Sequence, residues 1–112
     1  MLVSSAQAWA APAPPAVRAE IDGLLQKLEA SGCRFNRNGS WYSAPEARAH
    51  LLKKLDYLEG KDMIKSTDDF IRLAASGSSM SGKPYLVQCE GAPAVESKLW
   101  LNRQLQAAKP AK

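Results

Sequence analysis

Two cysteines, Cys33 and Cys89, constrain this chain more than any other feature. An even count with wide spacing suits one disulfide, made in an oxidising compartment. Cys33 follows an expected helix end and Cys89 closes an expected strand, so a bridge would tie two parts of the fold together. That requires the two Cα atoms to lie within about 7 Å. In the chain-entropy account, closing a loop of this length stabilises a domain by about 4 kcal/mol. A chain of 112 residues fits one domain with a thin stability margin, so such a contribution is large. The other reading of the pair is two buried free thiols.

The N-terminal stretch bears on the compartment. Residues 1–16, MLVSSAQAWAAPAPPA, carry no charged side chain. Ala6-Gln7-Ala8 and Ala8-Trp9-Ala10 are small-x-small triplets of the kind signal peptidase cleaves, and Ala11-Pro12-Ala13-Pro14-Pro15 reads as the start of a mature protein. We therefore expect a truncated signal-peptide remnant over 1–10, an Ala/Pro linker over 11–16, one domain over 17–107 and a disordered tail over 108–112. Export to the periplasm follows; an Ala/Pro-rich leader on a cytosolic protein is the alternative. No apolar run approaches the ~20 residues of a membrane-spanning helix. The net charge is +4, from 15 Lys+Arg against 11 Asp+Glu. The bases are scattered among acids, so no nucleic-acid footprint is implied.

Periodicity predicts the elements. Val17, Ile21, Leu24, Leu25 and Leu28 form one apolar stripe, which predicts a helix over 17–30, ended by Ser31-Gly32. Asn38-Gly39 tolerates positive φ at both positions and predicts a hairpin between Phe35 and Trp41 or Tyr42. Ser43 and Glu46 make a capping box for a second helix, whose buried stripe is Ala47, Leu51, Leu55 and Leu58, stopped by Gly60. Ser66 and Asp69 repeat the signature before a short third helix carrying Phe70, Ile71, Leu73 and Ala74. Residues 76–84 are a loop by composition, 85–89 a strand, and 95–107 a final helix with Leu99, Trp100, Leu101 and Leu105. The expected fold is α+β: about four helices on a three-stranded antiparallel sheet, in the order α-β-β-α-α-β-α.

Chemistry is harder to find. Gly77 to Lys83 fits Gly-x-x-x-x-Gly-Lys, but Pro84 stands where a phosphate-binding loop needs Ser or Thr. The context is also reversed, with a helix leading in and a strand leading out. No Gly-x-Ser-x-Gly elbow is present, and His50 is the only histidine, so a serine hydrolase would need folding to bring His50 to a loop serine. The simpler reading of the serines is a hydrogen-bonded turn. One histidine and two bridged cysteines leave too few ligands for a metal, and no cofactor is implied. Arg34, Arg37, Lys53 and Lys54 beside Trp41 and Tyr42 form a candidate basic and aromatic patch for an anionic sugar or phosphate; solvated charges over core aromatics are the alternative.

The run Cys33-Arg34-Phe35 with Arg37-Asn38-Gly39-Ser40-Trp41-Tyr42, the residues Glu46, Ala47, His50, Leu51, Lys54 and Leu55, and the stretch Ser81-Gly82-Lys83-Pro84-Tyr85 carry a further signal. With Phe70-Ile71, Ala75-Ser76, Ser78-Ser79 and Trp100-Leu101, they resemble the YfeK-like family of small exported proteins, over residues 21–105. The resemblance implies a signal peptide and a periplasmic location, and no reaction. Ser81-Gly82-x-x-Tyr85 also resembles the loop motif of periplasmic inhibitors of c-type lysozyme, which enters the enzyme's cleft. Those inhibitors are β-rich, and a basic inhibitor is repelled by a basic lysozyme.

The leading expectation is a non-enzymatic periplasmic binding or envelope-interaction module, because the unusual residues fall in loops. Its contact residues would be Arg37, Asn38, Trp41, His50, Ser78, Ser79, Ser81, Lys83 and Tyr85. The expected partner is a small anionic or glycan ligand, or an envelope protein. The rivals are a hydrolase using a loop serine with His50, and a lysozyme inhibitor.

Overall fold

The computed structural model of the protein describes residues 12–109, so the expected signal-peptide remnant over 1–10 lies outside the described residues. Helix α1 (Pro15–Ala30) starts two residues before the expected 17. Pro15 sits in the first turn, where a missing N–H has no intrahelical partner to lose. Ile21, Leu24, Leu25 and Leu28 are buried, as their spacing predicts. Ala13, in the stretch read as linker, is also buried, and its N–H donates to the Glu59 carboxylate at 3.0 Å. Arg18 reaches the same carboxylate at 3.0 Å.

Strands β1 (Arg34–Arg37) and β2 (Ser40–Tyr42) form the predicted hairpin. Its two turn residues, Asn38 (φ 53°) and Gly39 (φ 88°), both have the positive φ that a two-residue loop of matching twist requires. Helix α2 (Ala44–Gly60) opens on the predicted box: the Ser43 hydroxyl accepts the Glu46 N–H, and the Glu46 carboxylate accepts the Ser43 N–H. Ala47, Leu51, Leu55 and Leu58 face the core. Helix α3 (Thr67–Phe70) is capped by Ser66, whose hydroxyl accepts the Asp69 N–H at 3.0 Å. It runs on into a wider π-helical turn, Ile71–Ala75, that periodicity alone does not distinguish from an α-helix.

The sheet has four strands where three were expected. β3 (Leu86–Gln88) pairs with β1, and the added β4 (Val95–Glu96) pairs with β3, giving the antiparallel order β2-β1-β3-β4. Val95 and Glu96 fall within the range 95–107 expected for the final helix. They lie in a run of two, too short for a period to register, and α4 (Ser97–Ala108) begins immediately after them. Phe35 and Val87 are paired and buried in one core with Leu24, Leu25, Leu51, Leu55, Phe70 and Leu101.

One step beyond the Arg34↔Gln88 rung, Cys33 and Cys89 are joined by a disulfide, their Cα atoms 4.1 Å apart. The bridge therefore links β1 to the end of β3, and the free-thiol reading falls. Among the described residues, no helix is long and apolar enough to cross a membrane.

Candidate functional site

The strand alternation decides where Tyr85 goes. Tyr85 and Val87 are buried, while Leu86 and Gln88 between and after them are only half-buried. The Tyr85 ring packs on Phe35, centroids 5.2 Å apart, and its hydroxyl meets helix α2. There Lys54 Nζ donates to the Tyr85 oxygen at 3.1 Å, and His50 Nε2 lies 3.3 Å from it. Lysine has no lone pair when charged, so the Tyr85 oxygen accepts from Lys54. Its own proton is then free to go to His50 Nε2, which places the imidazole hydrogen on Nδ1.

The same environment disfavours a charged imidazole. Partial burial, with Arg37, Lys54 and Lys53 adding like charge, pushes the His50 pKa down from 6.5 to about 4. At neutral pH the ring is uncharged.

The serine loop is built on hydrogen bonds to itself and to the hairpin. The buried Ser78 hydroxyl accepts the N–H groups of Met80 and Ser81, both at 3.2 Å. The Ser81 hydroxyl accepts the Lys83 N–H at 3.2 Å and donates to Asn38 Oδ1 at 2.7 Å. Below it, Gly77 and Pro84 pair as a bridge, and Lys54 Nζ donates to the Gly77 carbonyl at 3.1 Å. Lys54 thus holds the neck of the loop and the tyrosine hydroxyl with one ammonium group.

Two hollows flank this loop. The larger, about 490 Å³, is polar and includes Arg72, Ser76, Ser78, Ser79, Glu96 and Lys98. The smaller, about 280 Å³, lies between the loop and α2 and is lined by His50, Lys53, Lys54, Tyr57, Leu58, Leu73 and Ser79. A further hollow of about 540 Å³ lies beside the disulfide, where Arg34 and Glu90 offset each other in charge.

The expected contact residues therefore fall into four groups. Asn38, Ser78, Ser79, Ser81 and Lys83 meet at the loop, and His50 faces it across the smaller hollow. Arg37 lies over the Tyr42 ring at 4.9 Å and adds its charge near His50. Tyr85 is buried beneath the loop. Trp41 is separate: it pairs with Asn36, on the face opposite Phe35, and stacks under the Arg34 guanidinium at 4.8 Å. The candidate basic and aromatic patch is thus split across the sheet. Sequence reading left Lys53, Lys54, Tyr57, Leu58 and Leu73 outside the contact set. The signal was there for three of them, since His50, Lys53, Lys54 and Tyr57 follow i, i+3, i+4, i+7 spacing and share a helix face.

No group of three metal-ligating side chains occurs among the described residues. No solved structure matches this chain. The uncharacterized protein YfeK of Salmonella typhimurium is 36% identical over 69 residues, 62% of this chain. The match spans about half (53%) of that relative's length. The resemblance carried by the cysteine, hairpin and serine-loop residues agrees with a broader match over residues 15–109, which covers the whole α1-to-α4 fold: the chain belongs to the family of unknown function DUF5329.

Proposed function

We propose that this protein is a non-enzymatic periplasmic binding module. Its contact surface is the loop 76–85 with the facing wall of α2, and its ligand is a small anion. One observation carries the reading: Arg37, Lys53 and Lys54 converge near His50, and among the described residues none of the three has a carboxylate partner. Uncompensated cations beside a hollow favour anions over neutral or cationic solutes. The disulfide and the small-x-small triplets support a place outside the cytosol.

Glucuronate and inorganic phosphate are suitable first probes, followed by amide chemical-shift mapping. Shifts confined to 76–85 and to His50–Lys54, lost in a Ser79→Ala/Ser81→Ala/Lys83→Ala variant, are expected. Shifts elsewhere, or binding unchanged in that variant, would overturn the reading.

The hydrolase alternative has one observation behind it, the shared hollow of His50 and Ser79. Against it, His50 Nε2 is engaged by Tyr85 and the ring is a weak base. A fluorophosphonate probe that labelled Ser79 would reverse that judgement. The lysozyme-inhibitor alternative has less support, because Tyr85, which closes its motif, is buried at 2% exposure.

A further inference from the structure

The smaller hollow points to a narrower class of ligand than anions in general, and this step rests on the binding reading above. We infer that the space between α2 and the serine loop takes a short apolar acid: an alkyl or aryl chain bearing one negative group.

The lining is two-part. Leu58, Leu73 and the Tyr57 ring supply apolar surface, and the stems of Lys53 and Lys54 extend it. Its polar groups come from His50, Lys53, Lys54 and Ser79, with His50 Nε2 and Lys54 Nζ side by side at the Tyr85 hydroxyl. No carboxylate lines the hollow. A volume of about 280 Å³ is at the small end for ligand sites and suits a short chain better than a nucleotide or an oligosaccharide. A sugar would also leave its hydroxyls facing leucines without partners.

Lys54 gives the head group its place. Of its three N–H donors, one goes to the Gly77 carbonyl and one to the Tyr85 hydroxyl, so one is left for a ligand. That ammonium is held at two points before any ligand arrives, so little side-chain freedom is lost on binding. Lys53, exposed and without a carboxylate partner among the described residues, adds attraction at the rim. The Ser79 hydroxyl is a second donor on the loop side.

Binding and protonation of His50 are then linked. The groups that face the imidazole are Lys53 and Lys54 of α2, Arg37 of β1 and Tyr85 of the strand segment. An anion placed among these cations offsets their repulsion of imidazolium, so the ligand raises the His50 pKa. Reciprocally, an acid that stays ionised binds more tightly as pH falls toward that pKa.

The test uses the whole chain with its disulfide intact. Octanoate, octane-1-sulfonate, octanol and anionic phosphatidylcholine/phosphatidylglycerol vesicles are titrated separately, with calorimetry and amide NMR as readouts. Octanoate and the sulfonate are expected to shift His50, Lys54, Tyr57 and Ser79, with octanol about tenfold weaker or more. Lys53→Glu, an exposed position, is expected to weaken the two acids by about tenfold and leave octanol unchanged. The His50 midpoint should rise when the sulfonate is bound. Equal affinity for octanoate and octanol, shifts at other sites, or binding only to vesicles would each overturn the inference. Glucuronate binding without octanoate binding overturns this inference and leaves the wider binding reading in place. Silence from every anion overturns both.

Discussion

The Asn38 side-chain carbonyl accepts the Ser81 hydroxyl at 2.7 Å, joining the tip of the β1–β2 hairpin to the serine loop across 43 residues of chain. Asn38 Nδ2 lies at 3.5 Å from Ser78 Oγ, so one side chain touches both structural serines of the loop. Asn38 also has a left-handed backbone (φ 53°), and few residues other than Gly tolerate that.

Two substitutions separate these roles. Asn38→Gly keeps the turn and cuts the link; we expect little change in global stability but faster hydrogen exchange at Ser81 and Lys83. Asn38→Ala loses the link and strains the turn as well, and should destabilise the fold by about 1–2 kcal/mol in urea unfolding. Equal exchange rates in wild type and Asn38→Gly would show that the hairpin does not hold the loop.

The disulfide sets the largest single expected loss. Cys33 and Cys89 are 56 residues apart in sequence, and replacing both with Ala should lower stability by about 4 kcal/mol. Reduction of the wild-type protein should reproduce that loss. The register should survive, because the Arg34↔Gln88, Phe35↔Val87 and Asn36↔Leu86 rungs do not depend on the bridge. Urea midpoints of the oxidised, reduced and Cys33→Ala/Cys89→Ala proteins measure this directly.

Local signals in the sequence carried most of this fold. The two capped helix starts at Ser43 and Ser66, the Asn38-Gly39 turn and the stripes of α1 and α2 each state their structure within a few residues. Contacts between distant residues were less legible. Nothing near Ala13 announces that its N–H meets Glu59, and nothing near Val95 announces a partner at Val87. The candidate site divides the same way. The loop serines stand out by composition and Lys54 shares a helix face with His50, whereas the contacts of Lys54 with Gly77 and Tyr85 are made only by the fold. Tyr85 itself is readable: alternation with Val87 places it inward, although it directly follows the exposed loop.

His50 predicts a pH dependence with a definite sign. Its folded pKa is about 4, below the ordinary 6.5 that applies in the unfolded chain. Between those values the unfolded state binds more protons than the folded state, so stability rises with pH from about 4 to 6.5. The ring is partly solvated, which limits the amount at stake to about 1 kcal/mol. NMR titration should give a His50 midpoint near 4, and His50→Gln should flatten the stability profile across that window. A midpoint near 6.5 would mean that neither burial nor the surrounding cations act on the ring.

Two glycines make a paired prediction with opposite signs. Gly23 lies inside α1 with nothing within 4 Å of where a Cβ would stand. Gly23→Ala therefore removes backbone freedom from the unfolded chain without a clash, and should stabilise the protein by about 0.5–1 kcal/mol. At Gly77 a Cβ would stand 2.8 Å from the Lys83 carbonyl oxygen, a backbone atom that cannot rotate away. That carbonyl also accepts the Ser78 N–H at 3.0 Å, and the next step down is the Tyr85 N–H to the Ser76 carbonyl at 3.0 Å. Relieving the clash means spreading the neck of the loop, which weakens both bonds and moves the Gly77 carbonyl that Lys54 holds. Gly77→Ala should destabilise the fold by about 1–3 kcal/mol. It should also speed hydrogen exchange at Ser78, Gly82 and Tyr85 while leaving the α1 amides unchanged. If Gly77→Ala were as benign as Gly23→Ala, the close pairing of Gly77 with Pro84 would not hold in solution, and the neck that positions Lys54 and Tyr85 would have to be looser than this geometry.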